Sequence, residues 1–479
     1  MGSNDREHAQ SAGQRESTKE PMVRMAVEHY APYRWVHAAI AALALWLIFS
    51  PFTLGYSSKA LVWSDVTSGC VTLLLSAMAL KRTRGLVSWL ISIVGLWLLF
   101  APLAFWSPNA AAYTNDTLIG ALLIAFGLII PMGMKMSGTE IPPGWSYNPS
   151  AWPQRVPVVA LAFVSFLVAH YMAAFQLGYI SSVRDPFFGG QTEQVLTSKV
   201  SRAWPISDAG LGAMTYMIEF LMGLMGDQRR WRTMPWMVAG FGFVVVPLGI
   251  VSITLVMMQP VVVGAWCSPC LFTAAAMLLM IPLSLDEVVA MIQCIVRKKR
   301  EGHSAWRVFW LGAQMEDDTP TWPATRPVVW KPRGMLWGFT NTWTLWLSVI
   351  IGIWLMMAPA FFGIGIRESA ANSDHVVGAL IVVVSIIALA EVARPVRFLN
   401  IPLGVWLLIT PWFLSGATRS SQWNGALMGL ATILLSLPLG KLRDHYGKYD
   451  SVVIWSPRRT ARDRHAQQPW GPEPLQRKP

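Results

Sequence analysis

The feature that most constrains this chain is a series of twelve apolar stretches, each near the length of a helix that crosses a bilayer. A hydrocarbon core about 30 Å thick needs about 20 apolar residues in helical form. Four stretches lie near 35–54, 62–80, 86–106 and 115–134. Four follow near 156–178, 209–226, 236–258 and 264–296, the last interrupted by Pro282, and four more near 342–362, 375–393, 400–415 and 424–440. Composition agrees: 54% of the 479 residues are hydrophobic and only 13% are charged, against roughly 25% charged in soluble domains. The expected fold class is an all-α integral membrane protein with about 12 transmembrane helices in a lipid bilayer.

Charge placement orients those spans. The formal charge is +12, but the basic residues fall between apolar stretches and in the tails, not on one face, so no nucleic-acid partner is expected. Alternate connections carry Lys81, Arg82 and Arg84; Lys135 and Arg155; Arg229, Arg230 and Arg232; Arg297 and Arg300; Arg394 and Arg397; then Lys441 and Arg443. The intervening connections are poor in Lys and Arg, apart from the longer loop 179–208. The positive-inside rule then places the basic loops and both termini in the cytoplasm. Residues 1–19 are polar with no apolar run, so the first span reads as an uncleaved anchor. The linker around Glu316, Asp317 and Asp318, with Pro320, Pro323, Pro327 and Pro332, reads as a solvated connector.

A repeat frames the outer thirds. Trp46 and Pro51, Trp97 and Pro102, Trp354 and Pro359, and Trp406 and Pro411 share one spacing, with the tryptophans 51 residues apart in the first pair and 52 in the second. Each unit continues with a polar residue five places before a glycine: Ser64 and Gly69, Asn115 and Gly120, Ser373 and Gly378, Asn424 and Gly429. One unit is thus a two-helix hairpin, in which Pro is expected to end the first helix and Gly to admit a close neighbour in the second. The pattern resembles the SPW repeat family of bacterial membrane proteins, loosely in the signature triplets (Ser50-Pro51-Phe52, Thr410-Pro411-Trp412) and more firmly in unit length. No catalytic constellation falls in these repeats.

The chemistry concentrates at Cys267 and Cys270, which follow Trp266 and run straight into an apolar helix. Cysteines at i and i+3 at a helix start can close a small disulfide. The helix N-terminus favours a thiolate through its unpaired N–H groups and partial positive charge. A lowered thiol pKa helps attack and departure in thiol–disulfide exchange. No second Cys or His pair completes a zinc site, so no metal is expected. The two other cysteines stand apart: Cys70 in the second span, and Cys294 24 residues beyond Cys270, about 36 Å along a helix.

At these residues the chain resembles the vitamin K epoxide reductase family, including its bacterial quinone-linked members. The resemblance covers roughly 155–300, four helices of which the fourth opens with the Cys-x-x-Cys. It implies a four-helix bundle around a quinone (ubiquinone or menaquinone), with Cys270 engaging the ring and Cys267 exchanging with a protein partner. Counting back four from Gly212 implies that Asp208 bonds a quinone oxygen, and Glu219 falls where the family also admits a polar residue. Trp266 is a candidate ring-stacking neighbour. Two departures stand out. The loop 179–208 lacks the family's shuttle cysteine pair, and Ala274 stands where vertebrate members carry Tyr.

The expected organisation is a cytoplasmic tail (1–34), two SPW-like repeats (35–140), the central four-helix domain (155–300), a linker (301–341), two more repeats (342–440) and a basic tail (441–479). The expected activity is transfer of electrons from a periplasmic, thioredoxin-like dithiol protein through the disulfide to the quinone pool, in the inner membrane of a bacterium. The alternative is a non-enzymatic scaffold or envelope redox sensor that keeps the same fold.

Overall fold

A computed structural model describes residues 34–81, 85–132, 140–313, 332–440 and 442–453. The N-terminal tail, Arg82, Arg84, Lys135, the acidic Glu316 to Asp318 run with Pro320, Pro323 and Pro327, Lys441, and residues 454–479 lie outside the described residues. Among the described residues the chain is helical, with two isolated β-bridges (Trp145 with Tyr446, Phe339 with Ala390) and no strand. The long helices are α1 (Arg34–Thr53), α2 (Lys59–Lys81), α3 (Gly85–Ala104), α4 (Ala110–Met132), α5 (Trp152–Gln176) and α6 (Asp208–Leu224). They continue as α7 (Pro235–Met258), α8 (Ser268–Arg300), α9 (Trp343–Phe361), α10 (Ser369–Ile387), α11 (Asn400–Ile409) and α12 (Arg419–Ser436).

Ten described helical segments are long and apolar enough to cross a membrane. The two remaining stretches predicted as spans also form helices. However, α6 has 17 residues and carries two carboxylates, and α12 opens on Arg419, Ser420, Ser421 and Gln422. The eleventh segment also begins earlier than its apolar run suggests, because a 3-10 stretch at Glu391–Leu399 leads directly into α11.

The chain divides into two compact units. One holds residues 1–135 with 177–179, and therefore α1–α4; the other holds 136–176 and 180–479, and therefore α5–α12. The central segment and the C-terminal repeats, expected as successive domains, share this second unit.

Pro51, Pro102 and Pro359 lie inside their helices, which end two residues later at Thr53, Ala104 and Phe361, and Pro411 lies in a 3-10 turn, Thr410–Trp412, that follows α11. In three repeats the turn closes by a six-residue bond: Tyr56 N–H to Pro51 O, Ser107 N–H to Pro102 O and Ile364 N–H to Pro359 O, at 2.8–2.9 Å. This is the Schellman pattern, which needs a left-handed residue just before the donor. Gly55 and Gly363 fill that place, and Trp106 does so at φ 45°.

The repeat's other two signals meet each other. Trp46 donates to Asn115 Oδ1 (2.8 Å) and Trp97 to Ser64 Oγ (3.0 Å), so each tryptophan bonds the polar residue of the other repeat. The C-terminal pair does the same, Trp354 to Asn424 Oδ1 (2.9 Å) and Trp406 to Ser373 Oγ (3.0 Å). The glycines act within each hairpin: a Cβ at Gly378 would lie 2.6 Å from the Gly352 carbonyl, and one at Gly120 would lie 2.6 Å from that of Gly95. The helices therefore touch backbone to backbone there.

Several basic residues read from sequence as loop charge are buried. Arg155, in α5, donates to the carbonyls of Gly223, Met225 and Gly226 at 2.6–2.9 Å. Arg230 donates to Met222 O (2.7 Å) and forms a forked pair with Glu287 of α8 at 2.5–2.6 Å. The last carbonyls of a helix lack intrahelical donors and carry negative partial charge, so two guanidiniums together cap the end of α6. Arg397 likewise donates to Leu435 O (2.8 Å) and Ser436 O (3.1 Å) at the end of α12. The tail also departs from expectation, because residues 442–453 pack into the second unit. Tyr446 is 1% exposed, its hydroxyl donates to Glu391 (3.2 Å), and Ser146 donates to Asp444 (2.8 Å).

Candidate functional site

The site is built where α7 gives way to α8. The end of α7 widens into a π-turn, Gln259–Val263, closed by the Gly264 and Ala265 N–H groups on Gln259 O (2.8 and 3.3 Å). Gly264 adopts φ 74°, a left-handed conformation that costs a side-chain-bearing residue roughly 1 kcal/mol or more. The side chain of Gln259, 4% exposed, then accepts the Cys267 N–H at 3.0 Å. A single polar residue at the end of an apolar span thus sets the backbone of the first cysteine.

Cys267 is the N-cap of α8, its Sγ accepting the Cys270 N–H at 3.2 Å, and the two cysteines are joined in a disulfide with Cα atoms 5.3 Å apart. Their surroundings differ. Cys267 is fully buried. Cys270 is partly exposed, lies 3.6 Å from the Met172 sulfur of α5, and forms part of a cavity wall.

That cavity, about 380 Å³, is bounded by all four central helices: Ala169 and Met172 of α5, Asp208, Gly212 and Tyr216 of α6, Leu248, Val251 and Leu255 of α7, and Cys270, Thr273 and Ala274 of α8. Asp208 lies in its lining. Asp208 Oδ1 accepts from Gln176 Nε2 (2.5 Å) and from the Ser201 hydroxyl (2.9 Å), while Ser207 caps α6 through Gly210 N–H (2.9 Å). Ser207 thus supplies the helix cap, and Asp208 lies in the cavity wall.

Two sequence candidates lie elsewhere. Glu219 is 11 residues past Asp208 in α6, fully buried, with neither carboxyl oxygen partnered in the described residues, and it does not line this cavity. Trp266 lines a second, larger cavity of about 830 Å³, with Phe188 and residues of α9 and α10.

Sequence reasoning missed the loop that closes the site. Asp185 accepts from the backbone N–H groups of Phe187 and Phe188 (both 2.9 Å) and from the hydroxyls of Thr192 and Ser268. Ser268 follows Cys267 directly, so the loop is tied to the disulfide turn. Gln191 adds a second tie by accepting the Trp266 N–H at 3.0 Å. Desolvation raises the Asp185 carboxyl, but the donors from Phe188, Ser268, Thr192 and Phe187 outweigh it and hold the group well below the usual carboxylate range. The only local signal was an acidic residue before Pro186 in a loop otherwise read for its missing cysteines.

Comparison with known families agrees with this architecture. Residues 156–285 match the model of the vitamin K epoxide reductase family, and residues 34–130 and 342–438 match that of the SPW repeat domain. The central segment is thus similar to a membrane redox family, and the segments on either side of it are similar to the repeat domain. No curated protein and no solved structure matches the chain.

Proposed function

We propose that the chain is a quinone-coupled thiol–disulfide oxidoreductase of the bacterial inner membrane. Its Cys267 exchanges with a periplasmic, thioredoxin-like dithiol protein, and its Cys270 faces the quinone. The observation that carries this reading is the asymmetry of the disulfide: Cys270 belongs to a cavity wall made by four helices, and Cys267 does not.

The cavity suits a flat apolar ring. Its volume lies within the roughly 300–1,000 Å³ of small-molecule sites. Its walls are mainly aliphatic, with the polar groups of Asp208, Ser252 and Thr273 among them. Gln176 and Ser201 hold Asp208 in place, the arrangement expected of a group that positions a ring oxygen.

In the forward direction a partner thiolate attacks Cys267 Sγ, the Cys267–Cys270 bond breaks, and Cys270 leaves as a thiolate. The partner's second thiol then displaces Cys267, so the partner is oxidised and the pair becomes a dithiol. A bound quinone takes up two electrons and two protons from that dithiol as the disulfide re-forms. The α8 N-terminus stabilises either thiolate through its free N–H groups. Because Cys267 is enclosed, exchange requires the Asp185 and Gln191 ties to open. Trp266 and Glu219, which stand outside the cavity, take no part in this step.

The enclosure of Cys267 and the lack of cysteines in 179–208 favour a second reading, a redox sensor or scaffold that keeps a structural disulfide. One experiment separates the two. The purified protein in nanodiscs is reduced, mixed with a short-chain quinone, and its thiols are counted by mass-tagging alkylation. Oxidation of Cys267 and Cys270 with matching hydroquinone formation supports the enzyme; a pair that stays reduced sinks it. In cells, Cys270→Ser should accumulate a mixed disulfide at Cys267.

A further inference from the structure

We propose that the C-terminal repeats complete a second binding site for a quinone or hydroquinone ring, beside the Cys270 cavity and centred on His375. The inference rests on the quinone reading of the first cavity and gives the repeats a part in it.

The second cavity lies within the same compact unit, between α7 and α8 on one side and α9 and α10 on the other. At about 830 Å³ it is more than twice the volume of the first. Its aromatic end is ordered: Phe188 stacks on Trp266 at 6.2 Å and 25°, and His375 meets the Trp266 ring edge-on at 5.8 Å and 83°. Flat aromatic faces at such angles accept another ring readily.

His375 supplies the second, independent observation. It is 5% exposed, it lines the cavity, and its Nδ1 has no hydrogen-bond partner among the described residues. A buried polar nitrogen left unpaired is costly, so a ligand with one hydrogen-bonding oxygen among apolar surroundings suits it. The ring's other nitrogen bonds the Met356 carbonyl, so Nδ1 is the acceptor of the neutral ring and takes a hydroquinone hydroxyl, while a quinone carbonyl is bonded by the protonated ring. Trp354, also in the wall, has its N–H committed to Asn424 at 2.9 Å and offers only its ring. A lipid acyl chain would fill the space but leave Nδ1 unpaired.

The two cavities share wall residues. Val256 of α7 and Ala274 of α8 line both. Ala274 lies four residues after Cys270, one turn along the same helix. These shared side chains are therefore a common wall between the second cavity and the space that Cys270 faces.

The test uses the full chain in phosphatidylcholine nanodiscs with a photoreactive azido-ubiquinone of short tail, followed by peptide mapping. The expected result is label on two sets of peptides: the α7–α8 wall near Leu255 and Thr273, and the α9–α10 wall between 353 and 383. His375→Leu should lower the α9–α10 label about five-fold relative to the α7–α8 label in the same sample, as expected for one lost hydrogen bond. His375→Asn, which retains a hydrogen-bonding group, should recover part of it and serves if the leucine variant does not fold. Label confined to the α7–α8 wall overturns the second site while leaving the first intact. So does an α9–α10 label that excess unlabelled quinone fails to displace but a photoreactive phospholipid reproduces. Absence of label at both walls overturns the quinone reading itself.

Discussion

Ser268, placed between the two cysteines, donates its hydroxyl to the Asp185 carboxylate, so the loop after α5 is fastened to the disulfide turn and not merely laid over it. Asp185→Asn should loosen that tie. Hydrogen bonds to a charged group contribute about 1.5–3 kcal/mol, so a small phosphine should reduce the Cys267–Cys270 disulfide roughly ten-fold faster in the variant. Reduction rates equal to wild type would show that the loop does not control access.

The same carboxylate sets a pH dependence. Its pKa in the closed loop is below the ordinary value, so protonation favours the open loop. The contribution of Asp185 is full above the unperturbed pKa of about 3.9 and is lost as pH falls toward the lower, closed-state value. The ratio of phosphine reduction rates, Asp185→Asn to wild type, should stay constant from about pH 8 to about pH 5 and approach one only in stronger acid. A ratio that collapses near neutral pH would point to another titrating group.

Crossed bonding between repeats predicts coupling. Trp354→Phe and Asn424→Ala each remove the same 2.9 Å bond, so the double variant should lose less stability than the two singles combined. Coupling of about 0.6–1 kcal/mol is expected for a hydrogen bond between membrane helices. Detergent-induced unfolding measures it; strict additivity would mean the bond contributes nothing.

The Arg230–Glu287 pair is buried, with both side chains under 10% exposed at 3% and 6%. Glu287→Gln leaves two guanidiniums, Arg155 and Arg230, at the end of α6 without their counter-charge. Removing one partner of a buried pair typically costs about 3–5 kcal/mol, and thermal unfolding in detergent should show a loss of that order. A shift within error would mean that carbonyl capping alone holds the arginines.

Close backbone contact makes Gly378 sensitive. Gly378→Ala would place a methyl 2.6 Å from the Gly352 carbonyl, and such overpacking costs roughly 1–3 kcal/mol. Gly264→Ala meets nothing within 4 Å and acts only through its positive φ, so it should cost less globally yet alter disulfide reduction at Cys267.

Much was legible in the sequence. Apolar length and low charge determine a membrane-spanning helical chain, because backbone groups in a bilayer must bond within their own segment. The Trp–Pro and polar–Gly spacings mark hairpin units. The Cys-x-x-Cys at a helix start marks the disulfide turn. These are local signals, written in neighbouring residues, and they survive whatever the helices later pack against.

What the tertiary structure decided is non-local. Sequence spacing cannot show that Trp46 bonds Asn115 and not the Ser64 of its own unit, since either is a polar residue at hairpin distance. It counts Arg155 and Arg230 as loop charge, because only the fold brings the last carbonyls of α6 to them. It lists Trp266, Asp208 and Glu219 together, although helix direction puts one on a different cavity and another 11 residues deeper. The disulfide pair itself was visible from the start. Its inequality, one sulfur enclosed and one in a cavity wall, exists only because four helices and a carboxylate loop from distant parts of the chain converge on the start of α8.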